Sequence, residues 1–356
     1  MHALPFVLQT GSIKHRLGMA WRPLTSFGLL PAIWMAMLGL MTTATGCGRP
    51  QRLPPRERAT LSGHTGGVCA LAVTADGKTL ASASEDNTVR IWDLVSEHER
   101  FSLRGHTDKV VAVAISPDGK TAVSGGWDSK VKVWDLTRRE ELASLETHTG
   151  RVRAVAITPD GKTAISGSED STIKLWDVPA KKRDPKKDLP IKERLTLTGH
   201  TFSVTCLAIS QDGKTLGSGG QGSDRTIKIW NLPGGTLRAS TPQQVKDVTC
   251  VALSPDAQVL ASGGLDLSTH LWDAFSGQSE FTLEARSAGT VWSVAFSPDG
   301  KTLATAHANG AIKLWDLATR QEYKELRGHA DHVDAVLYLP DGKTLVSASS
   351  DRTIKL

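Results

Sequence analysis

The sequence predicts an all-β chain built from seven copies of one three-strand unit, and three observations carry that prediction. Tryptophans recur at a fixed beat: Trp92, Trp134, Trp176, Trp230, Trp272 and Trp315 are spaced by 42, 42, 54, 42 and 43 residues. Inside each copy the metric is tighter, since His64, His106, His148, His200 and His329 each precede an aspartate (Asp76, Asp118, Asp160, Asp212, Asp341) by twelve residues. Between these marks, short β-branched or alanine-rich runs alternate with Asp/Gly turns, which is the pattern of short antiparallel strands. A unit of this size cannot bury both of its faces alone, so it must stack on copies of itself.

The copy from Gly105 to Asp135 shows the elements in order. Gly105-His106 opens it, and Val110–Ile115 is the first strand. Ser116-Pro117-Asp118-Gly119-Lys120 turns the chain, and Thr121–Ser124 begins the second strand. A Gly125–Ser129 turn leads to the third, Val131–Trp134, and Trp134-Asp135 closes the copy. Two departures stand out. Ten extra residues, rich in Lys and Pro, lie between Pro179 and Pro190, and two more lie in the Gly219–Asp224 turn; together they account for the spacing of 54.

A repeat that opens on Gly-His and closes on Trp-Asp with this period resembles the WD40 family, and the resemblance covers about residues 56 to 356. It implies a seven-bladed β-propeller, with copies beginning at His64, His106, His148, His200, Val248, Val291 and His329. In that family the sequence repeat is offset from the blade. A strand near Arg58–Leu61 is therefore expected to be the outermost strand of the last blade and to close the ring, leaving no free sheet edge.

The resemblance also implies a buried network in each blade, made of the Gly-His histidine, a second-strand hydroxyl, the turn aspartate and the tryptophan. Four copies supply all members: His64, Ser82, Asp86 and Trp92; His106, Ser124, Asp128 and Trp134; His148, Ser166, Asp170 and Trp176; His200, Ser218, Asp224 and Trp230. The fifth keeps Ser262, Asp266 and Trp272, and the sixth Thr305, Asn309 and Trp315, both without the histidine. The seventh has His329, Ser347 and Asp351 without the tryptophan. A buried carboxylate is costly unless donors surround it. A recurring His/Ser/Asp group is accordingly read as structural, not as a hydrolase triad, and no catalytic, cofactor or metal residue is assigned. The stretch Gly217–Gly222 matches G-x-G-x-x-G literally, yet Thr226–Trp230 after it alternates like a strand where a nucleotide site needs a helix.

Charge excludes a nucleic-acid partner. The formal charge is +5; Lys14, Arg16 and Arg22 fall in residues 1–46, which hold no acid, and the remainder carries only +2. Residues 1–46 themselves look like a signal peptide: a cationic start, an apolar run Leu29–Met41, then small residues. Ala44-Thr45-Gly46-Cys47 resembles a bacterial lipobox, which makes Cys47 the expected lipidation site and the product an extracytoplasmic lipoprotein. An uncleaved N-terminal anchor and a plain secretory signal are the alternatives. Residues 47–57 read as a Pro-rich tether, and 58–356 as the propeller. Cys69, Cys206 and Cys250 fall in innermost strands and are expected to be small buried fillers.

Function is expected on the top face, where the resemblance assigns three positions per copy: the third and fifth residues after the histidine and the residue before the turn aspartate. Among these, Lys109, Trp127, Arg151, Arg153, Trp292 and His332 stand out, because Trp and Arg dominate interface energetics. The expectation is a monomeric, non-catalytic scaffold that binds a protein or peptide there. A small-molecule or enzymatic site in the central channel is the alternative.

Overall fold

The computed structural model describes residues 56–179 and 193–356. Residues 1–55, with Cys47, the signal-like segment and the tether up to Pro55, lie outside the described residues, as do 180–192, which hold most of the basic insertion.

The first strand, β1 (Thr60–Ser62), stands apart from those that follow it. Blade 1 comprises β2 (Val68–Val73), β3 (Thr79–Ser84), β4 (Thr88–Asp93) and β5 (His98–Arg104); blade 2 comprises β6 (Val110–Ile115), β7 (Thr121–Gly126), β8 (Val131–Asp135) and β9 (Glu140–Leu145). Blade 3 is β10 (Val152–Ile157), β11 (Thr163–Ser168), β12 (Ile173–Asp177) and β13 (Leu195–Leu197), and blade 4 is β14 (Val204–Ile209), β15 (Thr215–Gly220), β16 (Ile227–Asn231) and β17 (Thr236–Ser240). Blade 5 is β18 (Val248–Leu253), β19 (Val259–Gly264), β20 (Ser268–Asp273) and β21 (Ser279–Glu284), and blade 6 is β22 (Val291–Phe296), β23 (Thr302–His307), β24 (Ile312–Asp316) and β25 (Gln321–Leu326). Blade 7 contributes β26 (Val333–Tyr338), β27 (Leu345–Ser349) and β28 (Thr353–Lys355), and its fourth strand is β1. Every pairing is antiparallel, and Thr60, Leu61 and Ser62 face Lys355, Ile354 and Thr353. The closing strand begins two residues later than the sequence suggested, because Arg58 and Ala59 bond Leu356 through single backbone contacts instead of the ladder.

The turns explain the strand lengths. At the bottom of each blade an aspartate folds the hairpin: Asp118 Oδ1 accepts the Ser116 hydroxyl (2.6 Å) and the Lys120 N–H (3.1 Å), while Gly119 takes φ 70°. Five of the other six copies repeat the same side-chain bonds, and in the seventh Asp341 holds Lys343 and Thr344 instead.

The core lies between blades. Ala81, Ile91 and Val89 of blade 1 pack on Val110, Val113 and Trp134 of blade 2, and the same contact recurs around the ring. This is why the second strand of each copy is so rich in Gly, Ala and Ser. A Cβ placed on Gly125, Gly167, Gly219 or Gly263 would come within 2.5–2.7 Å of Val152, Val204, Val248 or Val291 of the next blade. A larger residue there would push two blades apart.

In five blades the histidine of the expected network bonds both the aspartate and the hydroxyl. In blade 3, His148 Nδ1 is 2.7 Å from Asp170 Oδ2 and Nε2 is 2.8 Å from Ser166 Oγ, which also accepts the Trp176 indole N–H at 2.8 Å. Blades 1, 2 and 4 match it, and blade 7 does so without the tryptophan. The serine hydroxyls of blades 1 to 4 bond both imidazole and indole and are 0% exposed, an environment suited to rigidity and closed to substrate.

Blades 5 and 6 lack the Gly-His histidine, as the sequence reading has it, and each draws an imidazole from another position. In blade 5, His270 of β20 supplies the imidazole: its Nε2 meets Asp266 Oδ2 at 2.7 Å, while Trp272 donates to Ser262 at 2.9 Å. In blade 6, His307 of β23 bonds Thr305 Oγ1 at 2.8 Å, beside the Trp315 N–H at 2.9 Å. Full burial pushes the His307 pKa down to about 4, so it serves as a neutral ring.

Candidate functional site

The top mouth of the channel is built by seven β-bulges. In each innermost strand one residue is left unopposed: in blade 3 Val152 faces Ser168 and Ala154 faces Gly167, with Arg153 between them. The corresponding residues are Cys69, Val111, Thr205, Thr249, Trp292 and Asp334. A bulge re-aims a side chain out of the regular pleat. Simple strand alternation is therefore not what makes the third and fifth positions converge. Lys109, Arg151 and His332 sit just ahead of their strands, two residues before the unopposed bulge residue.

Four of the six residues singled out in the sequence come together at blades 2 and 3. Trp127, in the β7–β8 turn, is contacted by three cations: the Arg151 guanidinium lies 4.2 Å from its ring centre, Lys109 Nζ 4.9 Å and Arg153 5.6 Å. Cation–π attraction of this kind contributes roughly 0.5–2 kcal/mol per contact, more where water is excluded. Arg153 is bound to Glu169 (2.7 Å) and Lys109 to Glu85 (2.7 Å). The cluster thus has two acidic neighbours, because the lysine reaches back to Glu85 of the preceding blade. Among the described residues no carboxylate pairs with Arg151, and the Trp127 indole N–H is screened from solvent without an acceptor. The cluster therefore leaves the exposed Arg151 guanidinium open to an anion, while the indole N–H is closed off beneath it.

The other two residues form a separate pair. Trp292 and His332 stack across the junction of blades 6 and 7, with ring centres 6.4 Å apart and planes within 20°. The Trp292 N–H is likewise without an acceptor.

Near His332, Asp334 occupies the bulge position of blade 7. Burial raises the Asp334 pKa to about 6, against an ordinary 3.8, although the Ser350 hydroxyl donates to it at 2.7 Å. An acid whose folded pKa is raised favours folding below pH 4 and loses that contribution as pH rises through 6. Asp334→Asn is accordingly expected to raise the Tm at pH 8, by the equivalent of about 2 kcal/mol, and to leave it unchanged at pH 4. Thermal melts at the two pH values check this, and equal shifts would contradict it. Burial also pushes the Cys69 thiol up to about 12, which keeps it protonated and unsuited to nucleophilic work. Cys206 and Cys250 are buried free thiols in innermost strands. Among the described residues, no cluster of His, Cys, Asp and Glu could hold a metal ion.

Comparison with known proteins places this architecture. The profile of the WD domain, G-beta repeat family matches residues 55–93, 98–135, 139–177, 191–231, 235–273, 277–316 and 320–356. The chain belongs to the WD40 family. WD40 propellers are generally non-catalytic scaffolds for protein interaction, which agrees with the saturated histidine networks. One stretch of 35 residues is 54% identical to the Target of rapamycin complex subunit wat1 of Schizosaccharomyces pombe (strain 972 / ATCC 24843). That match covers 10% of this chain and 11% of that protein, so it reports the shared repeat and little more.

Two features of this WD40 chain were missed by sequence reasoning. His270 and His307 fall outside the Gly-His position, and only the presence of an unsatisfied Asp266 and Thr305 could have prompted a search for them. The bulges leave no mark in the sequence beyond the position itself.

Proposed function

We propose that this WD40 propeller holds a protein or peptide partner bearing a carboxylate, docked on the top face across blades 2 and 3. The supporting observation is the Trp127 cluster, in which, among the described residues, Arg151 lacks an acidic partner and the indole N–H lacks an acceptor. A guanidinium grips a carboxylate with two hydrogen bonds while remaining stacked on an indole. The partner's acid pairs with the exposed Arg151 guanidinium. The test is a Trp127→Ala, Arg151→Ala double variant of the full chain, used as bait against solubilised membranes after its melting curve is shown to match the parent. Losing such anchors typically costs 2 kcal/mol or more, about thirtyfold in affinity. Recovery of the same partners at the parent yield would sink the reading.

The propeller acts as a monomer at a membrane surface, outside the cytoplasm, held by lipid on Cys47. The support is the sequence pattern alone: a cationic start, Leu29–Met41, and Ala44-Thr45-Gly46-Cys47. Cys47→Ala is expected to release the protein from the membrane fraction, because two or more acyl chains anchor stably. Retention of the variant would instead favour an uncleaved anchor over residues 29–41.

A further inference from the structure

The two extra residues in the blade 4 turn do more than lengthen it. At Gly222 in that turn, φ is +65°, and a Cβ would come within 2.5–2.9 Å of the Phe202 ring. Only glycine lets the ring lie where it does, and Phe202 is left 46% exposed. The turn is tied to the incoming loop of blade 5. Gly222 N–H donates to Asp247 Oδ1 (2.9 Å), Gln243 Nε2 to the Ser223 carbonyl (2.6 Å), Arg225 Nη1 to the Val245 carbonyl (2.8 Å) and Gln244 N–H to the Arg225 carbonyl (2.8 Å). Asp247 is thus a bracing residue between two blades, and the Leu265 N–H bonds its carbonyl at 3.0 Å.

The result is a braced platform with apolar side chains turned outward: Phe202, Val245 (75% exposed) and Leu265 (38%). The other large apolar side chains exposed among the described residues are elsewhere. Val95 and Phe275 lie in bottom turns, and Leu237 and Tyr323 on outermost strands. All the exposed large apolar groups of the top end are therefore gathered at blades 4 and 5. The platform stands on the blades that follow the Trp127 cluster around the ring, β10 packing on β14 and β14 on β18. Trp127 reaches one blade forward to Arg151, and Glu169, its counterpart in blade 3, belongs to the turn one blade behind the Phe202-Ser203 loop.

We infer that the top-face site continues from the cations of blades 2 and 3 onto this platform, and that its occupant is a polypeptide segment with a large apolar side chain close to its carboxylate. The inference rests on the carboxylate-docking reading above and adds a second anchor to it. An exposed aromatic on a rigid support gains most from a partner that removes it from water, since little ordering is left to be lost on binding. A carboxylate alone would leave that surface wet.

The experiment is a selection of random dodecapeptides displayed on phage against the full chain, followed by titration of a synthetic copy of the leading peptide. The parent is expected to enrich peptides that combine Asp or Glu with Phe, Trp, Leu or Ile. Phe202→Ser should weaken the peptide by about tenfold, and Phe202→Leu should restore most of the loss. Arg151→Ala should erase the acidic preference instead. Binding to Phe202→Ser within a factor of two of the parent overturns the platform while leaving the carboxylate reading intact. Enrichment without acidic residues overturns the carboxylate reading, and no enrichment at all overturns both.

Discussion

Leu61→Asp is expected to destabilise the propeller by about 4 kcal/mol or more, the largest effect of any single surface-distant change proposed for it. Leu61 is 3% exposed and packs with Val346, Ala348 and Ile354 of blade 7 and with Leu80 and Trp92 of blade 1. It is the only buried member of the three-residue closing strand. An aspartate there would set an unpaired charge in an apolar cluster, a class of change that lies at the severe end of measured substitutions. The strand is otherwise held by polar bonds at its margins: the ladder to Thr353–Lys355, the Arg58 and Leu356 backbone contacts, Lys355 to Glu57 and Thr60, and the Arg58 side chain to Leu94 and Glu97. Urea unfolding measures the loss, and hydrogen exchange should show protection lost first in 345–355. A variant as stable as the parent would mean that closure contributes nothing.

Asp170→Ala is the second large effect, expected at about 3 kcal/mol. Its carboxylate accepts from His148 Nδ1, the Thr149 and Thr172 N–H groups and the Thr172 hydroxyl, at 2.6–3.1 Å. Truncation strands the buried His148 imidazole and the half-buried Thr172 donors, and an unpaired buried donor costs about 1–3 kcal/mol. Asp247→Ala is the control. It loses the single side-chain bond to Gly222 at a half-buried site and should cost under about 1 kcal/mol. Burial opposes ionisation of Asp170, yet the His148 and Thr172 bonds overcome it and hold the carboxyl well below the usual range. A depressed pKa contributes stability that is present above about pH 4 and lost as pH falls. The gap between parent and Asp170→Ala should therefore narrow in acid. Matching melting temperatures at neutral pH would refute the network's role in blade 3.

The ring was legible because its determinants repeat. Trp134, Ser124 and Asp128 sit at the same offsets in copy after copy, and each spacing is fixed by a hairpin whose turn chemistry is local. The closing strand was legible only through the offset between repeat and blade; nothing in Arg58–Ser62 itself announces its partner almost three hundred residues away. His270 and His307 were opaque for a different reason. A buried hydroxyl or carboxylate needs a donor, not a donor at one chain position, and an imidazole can arrive from β20 or β23 as well as from the loop before the first strand. The Trp127 cluster was legible as four residues but not as a geometry, since the bulge that turns Arg153 depends on pairing, not on composition. The platform at Phe202 was invisible because an inserted glycine reads as a loosened turn until its neighbour is seen lying on it.

The closing pair also sets an order of events. Lys355 Nζ meets the Thr60 hydroxyl at 3.2 Å across 295 residues of chain, whereas the partners within a blade such as β6–β9 are separated by a few dozen at most. Local hairpins form early, and contacts between distant stretches wait for the intervening chain to be ordered. Blade 7 is thus the last to finish, and until then β28 presents a bare edge and Leu61 an unburied side chain. A growing chain carries that open seam for the whole time its other six sheets are assembling. The seam is the stage at which a stray strand from another molecule could take the place of β1.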